Sequence, residues 1–145
     1  MIQTPVGLLT ICADGKAVCS ITVDAPVTET HPNDITELAK KELLLYFAGK
    51  LREFTVPVQP DGTDFQLRVW RALCDIPYGQ TVSYGDISEA VTGSRRASRA
   101  VGGANHANPI PFIIPCHRVV ASGGIGGYGL GIDKKQFLLA LESEK

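Results

Sequence analysis

Apolar and β-branched residues cluster along the first part of the chain in short runs typical of β-strands. Two β-rich runs, residues 4–11 and 17–23, are separated by Asp14-Gly15, a dipeptide that favours a hairpin turn. Asp34-Ile35-Thr36-Glu37 then forms a capping-box pattern, which predicts a helix ending near Gly49. A short strand is expected over residues 54–58. These elements predict a small α/β scaffold.

The hydrophobic pattern changes to helical spacing from Thr63 onward. Residues 65–74 place large apolar side chains on one face, and residues 83–91 predict a second helix. Ser94 is expected to cap a third helix that ends near Ala104. Helices joined by such short turns are typical of a helix-turn-helix unit. We therefore expect two parts, residues 1–62 and 63–145, with the turn at Pro60-Asp61-Gly62 between them.

An apolar run over residues 110–114 follows the loop predicted at 105–109 and is expected to be a buried strand. A second capping-box pattern, Asp133 to Gln136, predicts a last helix. Glu142 follows Leu138 by one turn and so borders the apolar face of that helix, where a carboxylate needs a partner. The elements together predict an α+β fold.

Size and composition indicate an ordinary globular protein of 145 residues, 44% of them hydrophobic and 20% charged. The sequence contains no run typical of a transmembrane helix, and its first residues lack the pattern of a signal peptide. We therefore expect a cytoplasmic protein, or a nuclear one in a eukaryote. In such a compartment Cys12, Cys19, Cys74 and Cys116 are expected to be free thiols.

Charge is distributed unevenly in the second part of the chain. No carboxylate occurs between Glu89 and Asp133, whereas four arginines do: Arg95, Arg96, Arg99 and Arg118. Arginine clusters of this kind neutralise the phosphates of nucleic acids, but a solvated helix surface explains them equally well. Charge alone leaves both interpretations open.

The best candidate for chemistry is Cys116, which directly precedes His117 and is followed by the glycine-rich residues 122–131. The thiolate is the reactive form of cysteine, and an adjacent imidazole can remove the thiol proton. A buried cysteine that only fills the core is the alternative. Zinc binding by Cys12, Cys19 and His31 is conceivable, but their spacing matches no standard zinc pattern and favours two core cysteines.

Four motifs resemble those of the O6-alkylguanine-DNA alkyltransferases: Arg99-Ala100-Val101-Gly102, Asn108-Pro109, Pro115-Cys116-His117-Arg118-Val119 and Gly127-Tyr128-Gly129. The resemblance is close from Gly62 to Glu142 and looser before that. It implies a small ribonuclease-H-like N-terminal lobe, shortened by a strand, followed by a winged helix-turn-helix-like domain that carries the active site.

The resemblance also implies residue roles. Cys116 would accept the alkyl group, His117 would be its base through a bridging water, and Glu142 would orient His117. Asn108 would organise the site, Tyr84 would assist flipping and donate to the base, and Arg99 would fill the space that the flipped nucleotide leaves. The pocket would be lined by Pro111, Val119 (through its carbonyl), Tyr128 and Gly129, and DNA would also contact Ser94, Arg95, Arg96, Ala97 and Arg118.

The implied reaction is an irreversible, single-turnover transfer of an alkyl group from O6 of guanine, or O4 of thymine, to Cys116. The substrate would be double-stranded DNA bound through its minor groove by a monomer, with no cofactor and no metal; cooperative binding stays open. Three alternatives are a non-catalytic lesion sensor, a winged-helix transcription regulator and a cysteine hydrolase. The sensor would lack the cysteine, the regulator would leave Cys116 and His117 unused, and the hydrolase needs no arginine-bearing helix.

Overall fold

A computed structural model describes residues 2–25, 32–121, 124–128 and 130–143. The chain divides into two compact units, Met1–Asp61 and Gly62–Lys145, one residue before the boundary expected from the sequence. His31 and Gly129, which the sequence suggested as a zinc ligand and a pocket residue, lie outside the described residues. None of the helices in the described ranges has the length and apolar character needed to cross a membrane.

The first unit contains an antiparallel sheet of three strands, β1 (Ile2–Thr4), β2 (Gly7–Ala13) and β3 (Val18–Val23), in the order β1-β2-β3. The single strand predicted over residues 4–11 is wrong at its start, because a turn separates β1 from β2. Gly7 closes this turn with a φ of 127°, and a Cβ there would lie 2.7 Å from the Asp24 carboxylate. The predicted hairpin is confirmed: Asp14 accepts the N–H groups of Lys16 and Ala17 between β2 and β3.

One helix, α1 (Asp34–Phe47), packs on this sheet. Its capping box consists of Asn33 and Thr36 rather than the predicted Asp34 and Glu37, because Asn33 is the residue with extended backbone before the first turn. The strand predicted over residues 54–58 is also wrong. Only Val58 pairs, beside Val18, where Val18 N–H donates to the Pro57 carbonyl at 2.9 Å.

The second unit is built on three helices, α2 (Asp64–Cys74), α3 (Tyr84–Thr92) and α4 (Ser98–His106), with a 3₁₀ turn over Arg95–Ala97. Thr63 and Ser83 close capping boxes on α2 and α3. Ser94 caps the 3₁₀ turn and not the third helix as predicted, because α4 begins only at Ser98. Helix α4 ends two residues later than the sequence predicted. The buried Trp70 of α2 fixes its last turn by donating from Nε1 to the Ala104 carbonyl at 2.8 Å.

The apolar run over residues 110–114 is not the strand that its composition predicted. It forms turns, although Ile110, Phe112 and Ile114 are fully or almost fully buried. Phe112 has a φ of 73°, in the left-handed region, which reverses the chain. The chain then continues into the short strand β5 (Val119–Val120), which pairs in parallel with β4 (Val82–Ser83), and ends in helix α5 (Ile132–Ser143).

Candidate active site

Cys116, His117 and Arg118 form a single 3₁₀ turn whose side chains are all buried. The Cys116 N–H donates to the Ile114 carbonyl at 2.8 Å, and the Arg118 N–H donates to the Pro115 carbonyl at 3.1 Å. The Cys116 carbonyl in turn accepts from the Val119 N–H. The backbone of the candidate nucleophile is therefore fixed on both sides.

Glu142 on α5 is 4% exposed and binds this turn. Its carboxylate accepts from His117 Nε2 at 2.6 Å, from Arg118 Nε at 2.8 Å and from the Gly79 N–H at 3.3 Å. A carboxylate bound to arginine only accepts hydrogen bonds, so His117 carries its hydrogen on Nε2 and Nδ1 is the basic nitrogen. Burial lowers the pKa of His117 even though Glu142 opposes this, which favours the neutral imidazole that a base must be.

Arg118 corrects one prediction, because its guanidinium does not face solvent. The residue is 6% exposed, donates from Nε and Nη2 to Glu142, and donates from Nη1 to the Ile76 carbonyl at 2.8 Å. The guanidinium also lies 5.7 Å from the ring centroid of Tyr78. Arg118 therefore balances the charge of Glu142 inside the site instead of contacting DNA phosphates as expected.

Cys116 is 5% exposed, and burial raises the pKa of its thiol above the ordinary value. The neighbouring Asn108 and Tyr128 side chains and the charge of Lys135 act in the opposite direction but do not outweigh burial. In the free protein the sulfur is therefore held protonated, and it needs a base to become a nucleophile.

Two asparagines connect the end of α4 to the nucleophile. Asn108 donates from Nδ2 to the Ile114 carbonyl at 2.8 Å and accepts the Ile110 N–H at 3.0 Å. Asn105 donates from Nδ2 to the Cys116 carbonyl at 3.3 Å. The sequence pointed to Asn108 but placed Asn105 in a loop, since the helix was expected to end before it.

Lys135 is a site residue that sequence reasoning missed. Its side chain is fully buried, and its Nζ donates to the Val119 carbonyl at 2.6 Å and to the Gly127 carbonyl at 3.0 Å. Burial lowers its pKa, whereas the nearby Cys116 acts in the opposite direction. Its spacing to Leu138 and Glu142 places all three on one face of α5, and this signal could have revealed it.

The sequence predicted one residue that assists flipping, Tyr84, and three that line the pocket: Val119, Tyr128 and Pro111. The Val119 carbonyl accepts from Lys135 Nζ at 2.6 Å. Tyr84 is half-buried at the start of α3, and burial, followed by the nearby Cys116, raises its pKa. Tyr128 lies near Cys116, and burial raises its pKa even more strongly. Pro111 is buried.

Gly126 explains how the glycine-rich segment reaches Tyr84. It has a φ of 76°, and a Cβ there would lie 3.3 Å from the Tyr84 hydroxyl and 3.0 Å from the Ala121 nitrogen. A side chain at this position would therefore be strained by the backbone and would press on the tyrosine. Glycine allows the segment to pass directly beside Tyr84.

The residues predicted to contact DNA differ in their exposure and in whether their side chains are already paired within the protein. Arg96 and Arg99 are exposed, as is Ser94, while Ala97 is partly buried. Arg95 is also exposed, but its Nη1 lies 2.8 Å from Asp86 and 3.3 Å from Glu89. Hydrogen bonding from the Ser83 N–H and then from Arg95 lowers the pKa of Asp86 to about 2. In the free protein Arg95 thus anchors the turn before α4 to α3.

No cluster of three or more His, Cys, Asp or Glu side chains suited to a metal ion occurs in the described ranges. Cys12 and Cys19 are free thiols, on β2 and β3 respectively. The site just described brings together a thiol, an imidazole, a carboxylate and two buried cations.

Comparison with known proteins matches both units to one family. The model of the 6-O-methylguanine DNA methyltransferase ribonuclease-like domain matches residues 1–60, and that of the DNA binding domain matches residues 64–144. A methylated-DNA–protein-cysteine methyltransferase of Mycolicibacterium paratuberculosis is 45% identical over 97% of this chain and 89% of its own length. One of Methanosarcina acetivorans is 40% identical over 97% of this chain and 94% of its own length.

Solved structures agree with this assignment. The crystal structure of Mycobacterium tuberculosis O6-methylguanine methyltransferase is similar with a TM-score of 0.88 and 44% identity, covering 98% of this chain and 90% of the other. That of M. tuberculosis OGT in complex with DNA has the same TM-score and coverage at 45% identity. This chain belongs to the 6-O-methylguanine DNA methyltransferase family, with a ribonuclease-like domain followed by a DNA-binding domain.

Proposed function

We propose that this protein is a methylated-DNA–protein-cysteine methyltransferase, which repairs DNA by moving the alkyl group of O6-alkylguanine, or of O4-alkylthymine, to Cys116. One observation carries the proposal. A buried thiol lies next to an imidazole that is hydrogen-bonded to a buried carboxylate, within the unit that matches the family's DNA-binding domain. Relatives with high identity over nearly their whole length carry that activity in their names.

The reaction is a displacement at the alkyl carbon. His117 Nδ1 takes the thiol proton through a water molecule, and the sulfur attacks the carbon as the bond from carbon to O6 breaks. The electron pair of that bond stays on the purine, which is stabilised by a hydrogen bond from the Tyr84 hydroxyl and is finally protonated to guanine. Glu142 holds the imidazole and balances the positive charge that forms on it, while Arg118 pairs with the same carboxylate.

The substrate must leave the base stack to reach the sulfur of Cys116, a residue that is 5% exposed. Flipping a nucleotide costs a few kcal/mol, and a side chain inserted into the vacated space lowers that cost. Arg99 is exposed on α4, so it can enter the duplex from the minor groove, and Arg96, Ser94 and Ala97 lie beside it to contact the backbone. Double-stranded DNA is therefore the proposed partner, bound by a monomer.

The product determines the stoichiometry. Transfer forms a thioether at Cys116, which has no good leaving group and is not restored by thiol reductants. Each protein molecule is therefore proposed to react once, without a cofactor, and the number of repaired bases cannot exceed the number of molecules.

Mass spectrometry tests the proposal. The protein is incubated with a duplex that contains one O6-methylguanine, and its peptides are mapped, with Cys116→Ser as the matched control. A methyl group on Cys116 in the parent alone, with loss of the lesion in equal amount, is the expected result. Bound but unmodified protein would point to a lesion sensor or a regulator, and repeated turnover of an ester or peptide would point to a hydrolase.

A further inference from the structure

Asn105 is a polar residue in a position that the helical pattern reserves for an apolar one. Val101, Ala104 and Asn105 form the buried face of α4, and Asn105 is 5% exposed. The opposite, exposed surface of the same helix carries Arg99, the residue proposed to enter DNA. A buried amide reduces stability unless its hydrogen-bonding groups are satisfied, so its presence here requires a reason.

Only one end of this amide is bonded to protein among the residues that the structure describes. Nδ2 donates to the Cys116 carbonyl at 3.3 Å, whereas Oδ1 is buried without a partner in those ranges. The reversed amide would place two oxygen atoms against each other, so the assigned orientation is the favourable one. A leucine of similar volume would fill the space without burying an unpaired acceptor.

The bond from Asn105 completes the fixation of the nucleophile's peptide. The Cys116 carbonyl accepts from the Val119 N–H within its own turn and from Asn105 on α4, which uses both of its lone pairs. Asn108, three residues further along the chain, bonds the Ile114 carbonyl in the same way at 2.8 Å. Two amides at the end of the DNA-contacting helix thus hold two alternate carbonyls of the segment that presents the sulfur.

We propose that Asn105 is a positioning residue that fixes the Cys116 peptide relative to α4. The helix proposed to bind DNA then also sets the direction from which the sulfur attacks. The inference rests on the proposed transfer to Cys116. An in-line displacement is sensitive to the placement of the attacking atom, and an error of about 1 Å can cost about 100-fold in rate. Reaction of the same thiol with a small, freely diffusing alkylating reagent needs no such alignment.

The difference between these two requirements provides the test. Asn105→Leu is compared with the parent and with His106→Leu, the same replacement at the exposed neighbouring position. Two rates are measured: single-turnover transfer from an O6-methylguanine duplex, and alkylation of Cys116 by iodoacetamide, followed by peptide mass spectrometry. We expect Asn105→Leu to lose about tenfold or more in transfer while its iodoacetamide rate stays near that of the parent. His106→Leu should match the parent in both reactions.

Thermal melts accompany the rates. Because Asn105→Leu removes an unpaired buried acceptor, its melting temperature should equal or exceed that of the parent. Should this variant fail to fold, Asn105→Ser, whose side chain is too short to reach the Cys116 carbonyl, must show the same selective loss. Transfer at the parent rate in a folded variant, or an equal loss in both reactions, would overturn the positioning role. A parent protein that leaves Cys116 unmodified would instead overturn the proposed function, and this inference with it.

Discussion

Among the described residues, each unit contains one glutamate that is almost completely buried, and the two carboxylates have very different surroundings. Glu42 on α1 is 6% exposed and accepts from the Thr55 N–H at 3.0 Å, from the Thr55 hydroxyl at 2.7 Å and from the Val56 N–H at 2.8 Å. All of these donors are fixed backbone or hydroxyl groups, which neither lose nor gain a proton near neutral pH.

Glu142 on α5 is 4% exposed but binds an imidazole and a guanidinium together with a single backbone N–H. One of these partners, His117, can change its charge at physiological pH. Burial of a carboxylate therefore does not by itself identify a functional site. What distinguishes Glu142 from Glu42 is a partner that titrates and that lies beside a nucleophile.

Removing the titrating partner should have the largest effect on transfer. His117→Ala eliminates the group that accepts the thiol proton, and loss of a general base typically costs about 10²–10⁴-fold. Because burial raises the pKa of Cys116, the residual rate should climb steadily with pH through the alkaline range, while the parent profile is flatter. Single-turnover rates measured across pH check this, and an unchanged profile would remove His117 as the base.

The same variant should also change the pH dependence of stability. The folded pKa of His117 lies below its ordinary value of 6.5, so the unfolded chain binds the proton more readily. The stability that depends on His117 staying neutral is fully present above about pH 6.5. It is lost as the pH falls toward the folded pKa of His117. The parent should lose stability over that window more steeply than His117→Ala, as followed by urea unfolding at several pH values.

Neutralising the carboxylate is expected to have the next largest effect. Glu142→Gln removes the charge that orients His117 and balances Arg118, and we expect a loss of about 100-fold in transfer, at the lower end of general-base contributions. Leaving Arg118 buried without its counter-ion should also cost about 3–5 kcal/mol of stability. Both quantities are measured on the same preparation, and an unaffected transfer rate would contradict the role of Glu142.

Lys135→Met should reduce transfer by a smaller factor. Methionine retains most of the length but removes the buried ammonium that favours the Cys116 thiolate and bonds the Val119 and Gly127 carbonyls. We expect a loss of about tenfold, equivalent to a change of one unit in the thiol pKa. Lys134→Met is the matched control on the same helix and should react like the parent. Equal rates for both variants would show that Lys135 supports only the fold.

Glu42→Gln tests the other side of the comparison and should leave transfer unchanged. The substitution replaces an acceptor of N–H groups by an amide that can turn one donor toward them, so one buried backbone group loses its bond. We expect a loss of about 1–3 kcal/mol in unfolding free energy. A transfer defect as large as that of Glu142→Gln would contradict the distinction drawn between the two carboxylates.

Local chemistry made several elements predictable from the sequence. The hairpin at Asp14-Gly15 and the helices of the second unit depend on interactions within a few residues, which a sequence displays directly. The string from Pro115 to Val119 likewise identified the family before any geometry was known. Cys116, His117 and Glu142 were correctly expected near one another because the resemblance carried that information.

Features that depend on tertiary contacts could not be predicted in the same way. The apolar composition of residues 110–114 reflects burial rather than a strand, since Phe112 turns the chain and no partner strand accompanies the segment among the described residues. Arg118 was expected to contact DNA, and Lys135 was not singled out, because cations usually lie at the surface. Their burial follows from Glu142 and from two backbone carbonyls, which come close only in the folded chain.

Phe112 gives the site an internal tension. A bulky residue in the left-handed region is held in a conformation that costs about 1–3 kcal/mol, and only the surrounding core can hold it there. The bend at Phe112 lies four residues before Cys116. The core therefore holds the sulfur in position against the backbone preference of Phe112 for a negative φ. If packing around Phe112 weakens, its strained backbone should relax first. We therefore expect the protein to lose reactivity at Cys116 before it unfolds.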